Sequence, residues 1–283
     1  MRYSVEIFPP KSSADNKEVV DLSVPFLSDG ASFISLTYGA GGSSRNRSRS
    51  AVLAMALAGI PTAAHITAAS ASKEDVDHSL AIWLNTGITR FVVLRGDNGA
   101  PGAPFEAHPD GYASSIELIE RIAELGAKEI SVACYPNGHP DHQGGDSDLD
   151  YLKRKADAGA TEAITQFFFN AEDYFRFRDR CADARVGLNI VPGILPIFNF
   201  TKVAQFATKC GEPIPQWLTD RFAGLDAQPD VRQQVAVASA ASLIDKLRDA
   251  DVPRVHIYSC NDSELTRSIG RLISFPAEKQ NAA

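Results

Sequence analysis

Residues 129–166 read EISVACYPNGHPDHQGGDSDLDYLKRKADAGATEAITQ, and three segments within them decide the fold class. Glu129–Ala133 and Ala163–Gln166 are short and mostly apolar, as strands covered on both faces are. Between them, Leu149–Ala158 has the spacing of an amphipathic helix and stops at Gly159. Strand, helix and strand in that order make a βαβ unit, which implies a parallel sheet.

The same alternation extends in both directions. Further strands are predicted at Tyr3–Phe8, Phe33–Thr37, Thr62–Thr67, Arg90–Leu94, Leu188–Pro192 and Arg254–Tyr258. Helices are predicted at Ala14–Leu27, Arg47–Ala58, Lys73–Thr86, Ser114–Leu125, Ala171–Ala182 and Thr201–Lys209. Eight strands with intervening helices point to an α/β chain closed into a (β/α)8 TIM barrel, although an open doubly wound sheet fits the pattern too. Ile214–Ala223 and Asp230–Ala250 read as extra helices inserted between strands seven and eight. The expected organisation is one catalytic barrel over residues 1–277, with a disordered tail at 278–283. The polar stretch Asp97–Gly111 reads as a long βα loop, a kind that is uncommon unless functional.

Composition narrows the function classes. A formal charge of −7 and a pI near 5.4 argue against a nucleic-acid partner or an anionic membrane surface. An anionic small ligand needs only a local positive site. Cys134, Cys181, Cys210 and Cys260 form no C-x-x-C pair, so a zinc site or redox motif has little support and no metal is expected, and they read as buried thiols in a reducing cytosol. Glu6 and Pro9-Pro10 stand where a signal peptide would be apolar. The longest apolar run, Ala51 to Ile60, is too short to span a bilayer, so a cytoplasmic protein is expected.

A barrel of this kind carries its site at the carboxyl ends of the strands. Those positions hold Glu6, Thr37, His65, Arg95 with Asp97, Tyr135, Gln166 and Tyr258. Strand seven is the exception, ending in the apolar turn Pro192-Gly193-Ile194-Leu195-Pro196. Polar groups at seven of eight ends line one mouth, a pattern more informative than any member of it. Glu6 is either a solvated carboxylate or, set against Ile7-Phe8-Pro9-Pro10, a carboxyl suited to general acid work. Asp97 is a turn cap or a catalytic group, and His65 a satisfied core histidine or a ligand contact.

Two further stretches bear on ligand binding. Gly39-Ala40-Gly41-Gly42-Ser43, followed by Arg45 and Arg47, is a glycine-rich βα turn that allows close backbone approach, but it is not a dinucleotide fingerprint. Lys153-Arg154-Lys155 is either a solvated face or a source of one or two cations turned to the mouth, since helical periodicity sends the three in different directions. Phe167-Phe168-Phe169 reads as barrel core and rim.

At these residues the chain resembles the short bacterial type of methylenetetrahydrofolate reductase. The resemblance is carried by Glu6-Ile7-Phe8-Pro9-Pro10-Lys11, Thr37-Tyr38-Gly39-Ala40, Ala64-His65-Ile66-Thr67 and Leu94-Arg95-Gly96-Asp97. It continues through Tyr112-Ala113-Ser114, Tyr135-Pro136, His139-Pro140, Lys153-Arg154-Lys155, Ala163–Phe169 and Pro192–Pro196, in family order. It implies FAD lying across the strand ends, in contact with Thr37, His65, Arg95, Gly96, Asp97, Tyr112, Ala113, Tyr135, His139, Asp148, Arg154 and Lys155. It further implies NADH or NADPH as co-substrate, a folate as substrate and a homo-oligomer. Glu6 and Asp97 would be catalytic, and Gln166, Phe206 and Tyr258 would hold substrate with Glu6. Hydride would pass from nicotinamide through flavin to folate in a ping-pong sequence, with Glu6 as general acid and Asp97 supplying negative charge near the flavin.

Three positions depart from the family pattern. Tyr151 replaces an asparagine, Lys202 a glutamine and Asp262 an arginine, none of them a catalytic group. The competing readings are a flavin-independent pterin-binding barrel methyltransferase and a non-catalytic flavin- or folate-binding module. Retention of Glu6 together with Asp97 counts against the module.

Overall fold

The computed structural model describes residues 1–12, 15–38, 45–96, 106–139 and 147–275. Asp97, the Gly39–Ser43 turn, Pro140 and the expected tail at 278–283 lie outside the described residues. The strands are β1 (Arg2–Ile7), β2 (Ile34–Leu36), β3 (Thr62–Thr67), β4 (Arg90–Leu94), β5 (Glu129–Cys134), β6 (Glu162–Thr165), β7 (Asn189–Val191), β8 (Gly193–Ile194) and β9 (Arg254–Tyr258). Neighbours pair in parallel in the order β7-β6-β5-β4-β3-β2-β1-β9-β8.

That order begins and ends on two halves of one strand. The predicted seventh strand, Leu188–Pro192, is broken at Pro192, which has no N–H to continue a ladder. Up to Val191 the chain pairs with β6; from Gly193 it pairs with β9. The Pro192 carbonyl accepts a hydrogen bond from the His256 N–H at 2.9 Å, and the sheet closes there into the expected barrel. Gly193-Ile194, expected as part of an apolar turn, is therefore strand.

The helices α1 (Asn16–Ser28), α2 (Arg45–Leu57), α3 (Lys73–Asn85), α4 (Ser115–Glu124), α5 (Ser147–Asp157) and α6 (Ala171–Asp183) follow the first six strands. Three more, α7 (Phe200–Cys210), α8 (Gln216–Phe222) and α9 (Pro229–Asp249), separate β8 from β9. Extra helices were expected there, but their assignment changes. The long α9 packs against both α6 and the last helix, α10 (Ser263–Ser274). It therefore fills the seventh place in the outer ring, and α7 and α8 are the additions, set near the mouth.

Helix α10 was not among the expected elements. Its signals are Asp262, whose side chain caps the Leu265 N–H at 3.1 Å, and Leu265, Ile269 and Ile273, all buried and spaced by four. Asp29, after α1, accepts from Arg267 and Arg271 on α10 at 2.7 and 2.9 Å, tying the first helix to the last. Among the described residues no helix is long and apolar enough to cross a membrane.

Inside the barrel the strands are less apolar than their sequences suggested. Arg90 pairs with Glu129, and Arg254 with Glu162. The Phe33 ring lies 4.2 Å from the Arg90 guanidinium carbon and 5.4 Å from that of Arg254. These residues begin their strands, so an ionic layer floors the barrel at its amino end. The opening is left at the carboxyl ends.

The packing of α10 on β1 yields a test. Gly270→Ala should gain about 1 kcal/mol of helix propensity. However, the added Cβ would stand 2.4 Å from the Tyr3 hydroxyl oxygen, and Tyr3 is fully buried with its hydroxyl donating to Phe26 O at 3.2 Å. Overpacking of this kind costs about 1–3 kcal/mol, so the variant should be the less stable protein. A urea midpoint above that of the unaltered chain would show that Tyr3 moves freely.

Candidate functional site

The end of β1 sets Glu6 over a small polar layer. Side chains alternate along a strand, so Ser4 and Glu6 share the inward face, as do His256 and Tyr258 on β9. Ser4 Oγ lies 2.7 Å from His256 Nδ1, and Ser35 Oγ of β2 lies 3.4 Å from His256 Nε2. The Glu6 carboxylate oxygen Oε2 stands 3.6 Å from His65 Nε2 and 3.9 Å from His256 Nε2. The Glu6 backbone is fixed from the neighbouring strand, its carbonyl accepting from Ser259 N at 3.2 Å and from Ser259 Oγ at 2.5 Å.

His65 is buried, as a core histidine would be, but it is not satisfied. Its Nε2 has no hydrogen-bond partner among the described residues. Burial pushes its pKa down to about 4; the Glu6 charge pulls upward and His256 downward, and burial prevails. The ring beside Glu6 is thus a neutral imidazole at neutral pH.

Above this layer a cavity of about 730 Å³ opens at the barrel mouth. Six of the predicted strand-end residues line it: Glu6, Thr37, His65, Tyr135, Gln166 and Tyr258. The Tyr258 hydroxyl donates to Thr165 O at 2.7 Å, and burial holds its pKa well above the usual range. The Gln166 side-chain oxygen accepts from Phe167 N at 3.1 Å. Phe206 reaches the cavity from α7 and stacks on Phe167, ring centres 5.4 Å apart and planes 29° apart. Thr37 Oγ1 and the Tyr38 hydroxyl are buried without partners among the described residues.

A second cavity of about 410 Å³ adjoins the first, with Leu94, Ala133 and Tyr135 lining both. Its polar wall holds Arg95, Gly96, His139, Asp148 and Lys155, all of them predicted. Gly96 has φ +81°, and a Cβ on it would meet Thr67 Cβ at 2.8 Å and Ala69 Cβ at 2.9 Å, so only glycine fits. The rings of Tyr135 and His139 meet edge to face at 4.5 Å, and Asp148 accepts from His139 N at 3.2 Å. Lys155 is buried; its Nζ donates to Ala133 O at 3.0 Å and lies 5.0 Å from the centre of the Tyr151 ring. Burial lowers its pKa to about 8.

The remaining predicted residues are not brought to either cavity. The Tyr112 hydroxyl is held by Asp77 of α3 at 2.5 Å. The Ala113 N–H donates to Glu117 at 2.7 Å, inside the cap of α4. Arg154 is exposed, its guanidinium carbon 5.7 Å from the Tyr151 ring. Of the three family departures, Tyr151 lines the second cavity and meets Ser115 Oγ at 3.0 Å. Lys202 is exposed on α7, and Asp262 caps α10. Cys134 and Cys181 are buried as expected, but Cys210 and Cys260 are only partly so. Sequence reasoning missed His256, which stands two residues before Tyr258 on one strand face; period-two alternation was the signal for it.

Comparisons with known proteins agree with the sequence resemblance. A sequence model described as methylenetetrahydrofolate reductase matches residues 1–273. The chain is 39% identical over 268 residues to a 5,10-methylenetetrahydrofolate reductase of Pectobacterium carotovorum subsp. carotovorum, covering 94% of this chain and 88% of that protein. It is 37% identical to the protein of that name from Escherichia coli (strain K12), with the same coverage. In structure it resembles an uncharacterised Clostridium thermocellum protein that binds two copies of 5-methyl-5,6,7,8-tetrahydrofolic acid. The TM-score is 0.66 and the coverage 97% and 95%, but at 12% identity this likeness speaks for the fold alone.

The state of His65 has a measurable consequence. Its folded pKa of about 4 lies below the ordinary 6.5, so between those values the unfolded chain binds a proton that the folded one refuses. Stability from this group is complete above pH 6.5 and is lost as pH falls toward 4. From pH 7 to pH 5 the loss should be about 2 kcal/mol. Urea unfolding at both pH values should show that extra loss in the unaltered protein but not in His65→Gln; equal losses would mean that His65 takes up its proton in the fold.

Proposed function

The chain belongs to the methylenetetrahydrofolate reductase family, and we propose that it is an FAD-dependent oxidoreductase interconverting 5,10-methylenetetrahydrofolate and 5-methyltetrahydrofolate, with NADH or NADPH as co-substrate. The observation that carries this reading is the pair of adjoining cavities, one holding Glu6 beside a neutral histidine, the other walled by a buried lysine. The residues fit the cofactor. Lys155 offers a cation from inside the wall, Gly96 lets backbone approach, and Thr37 and His65 present buried polar atoms without partners among the described residues. When bound, FAD supplies the carrier that takes hydride from nicotinamide and gives it to folate.

The chain's own groups do the rest. A proton must reach the leaving ring nitrogen of the folate for the five-membered ring to open to a 5-iminium cation. His65 is kept neutral by burial at neutral pH and stands 3.6 Å from the carboxyl of Glu6, the residue we assign as the donor. Tyr258, Gln166 and Phe206 line the same space; the Phe206 face offers stacking worth about 0.5–1.5 kcal/mol. A cavity of about 730 Å³ suits one drug-sized ligand, so nicotinamide and folate take turns there, as a ping-pong sequence requires. Asp97 completes the proposal as a negative charge that favours the cationic folate.

Two experiments test this reading. The purified protein should be yellow and release FAD on denaturation, whereas a colourless protein that takes up no FAD would favour the methyltransferase. In stopped flow, Glu6→Gln should leave bleaching of the flavin by NADH intact and slow reoxidation by methylenetetrahydrofolate by at least the roughly 10²–10⁴-fold typical of a lost general acid. Equal loss in both halves would end the proton-donor role. Separately, FAD affinity should fall above about pH 8, where Lys155 loses its charge, and Lys155→Met should weaken binding while abolishing that pH dependence. Unchanged affinity in the variant would mean that another group faces the phosphates.

A further inference from the structure

Helix α7 lies at the mouth and presents Phe206 to the larger cavity, and what holds it is unevenly distributed. Its first turn is fixed by neighbours: Thr201 Oγ1 donates to Asp226 at 2.8 Å, and Phe200 stacks on Phe222 at 5.6 Å. Its last turn ends at Gly211, which takes φ +72°, and the next residue, Glu212, returns its N–H to Ala207 O at 2.9 Å. The Glu212 side chain is buried, with 4% of the residue exposed. One carboxyl oxygen accepts from Asn137 Nδ2 at 2.8 Å, and the other is buried with no partner among the described residues.

Asn137 belongs to the loop after β5, two residues from Tyr135 and two from His139. Tyr135 lines both cavities and His139 the second. One hydrogen bond therefore joins the element bearing the substrate-facing ring to the loop bearing the wall between the cavities. A buried carboxyl with a single partner costs the fold free energy that an apolar residue would not. Burial raises its pKa to about 7, with Asp173 of α6 adding in the same direction and Asn137 opposing. A carboxyl that is only partly ionised near neutral pH can accept from Asn137 without carrying a full buried charge.

We infer that Glu212 is a positioning residue: through Asn137 it sets α7 and Phe206 against the loop of Tyr135 and His139, and so fixes the width of the folate subsite. This rests on the folate-reducing reading above. Glu212→Gln keeps an oxygen for Asn137, whereas Glu212→Leu and Asn137→Ala each remove the bond. In the flavin-loaded protein either removal should raise KM for methylenetetrahydrofolate roughly tenfold, about the worth of one buried hydrogen bond. The limiting rate of flavin reduction at saturating NADH should stay unchanged to within about twofold, since the width of the shared cavity changes and the hydride transfer itself does not. The double variant should be no worse than a single one, since both break the same bond, and Glu212→Gln should keep the original KM. Additive effects, or an unchanged KM in Glu212→Leu, would overturn the inference. So would an equal fall in the limiting rates of both half-reactions, which is what a purely structural residue gives.

The tie also has a readout that needs no turnover. Hydrogen exchange at the amides of Gly138, His139 and Glu212 should quicken roughly tenfold in Glu212→Leu and Asn137→Ala but not in Glu212→Gln. Unchanged exchange in the first two would refute the tie even if the enzyme reduces folate. An unaltered protein that binds no FAD and reduces no folate would instead refute the functional reading, and exchange would still judge the tie.

Discussion

The mouth of the barrel is set by how the sheet closes at Pro192 and Gly193. Pro192 ends one ladder because it has no N–H, yet its carbonyl still accepts from His256. Gly193 then donates to Thr165 Oγ1 at 2.9 Å. A Cβ there would lie 2.3 Å from Thr165 O and 2.5 Å from the Tyr258 ring. The absent side chain lets β6 and β9 approach until the Tyr258 hydroxyl reaches across to the Thr165 carbonyl. His256, Tyr258 and the end of β6, with Gln166 after it, therefore take their places from one seam.

The seam also reaches Glu6. Strand β9 pairs with β1 in register Glu6↔Tyr258, and Ser259 holds the Glu6 carbonyl. Beneath the carboxyl, Ser4, Ser35 and His256 form a hydrogen-bonded layer, and beneath that the Arg90, Glu129, Glu162 and Arg254 layer closes the floor. The polar interior is layered: paired charges at the bottom, hydrogen-bonded groups in the middle, and at the open end the unpartnered polar atoms of Thr37, Tyr38 and His65 among the described residues. Unpartnered atoms in a low-dielectric interior are costly, and Thr37, Tyr38 and His65 carry theirs in residues that line the larger cavity.

Much of this was legible in the sequence because strand ends can be counted. Hydrophobic runs located eight strands, and taking the residue at each carboxyl end found seven groups of the two cavities without any three-dimensional information. What was not legible depended on contacts between distant segments. Nothing local distinguishes α9 as a ring helix from α7 and α8 as additions, since only packing against α6 and α10 decides it. Tyr112 and Ala113 follow a predicted loop, but Asp77 and Glu117 claim their polar atoms first. Helix α10 and His256 differ in this respect, because the four-residue spacing of Leu265, Ile269 and Ile273 and the period-two alternation of β9 are local signals.

The lysine-arginine-lysine run shows how one residue in three becomes functional in form. On a helix, adjacent side chains diverge by about 100°, so α5 cannot turn Lys153, Arg154 and Lys155 inward together. The inward direction is fixed by Leu149 and Leu152, which are buried against the barrel, and Lys155 is three residues beyond Leu152 on that face. Arg154 is thereby left in solvent. An ammonium carried inward with the apolar face needs compensation, which the Ala133 carbonyl and the Tyr151 ring supply in part. The lowered pKa shows that they do not supply all of it. Tyr151 is thus part of what keeps this cation in the wall of the second cavity.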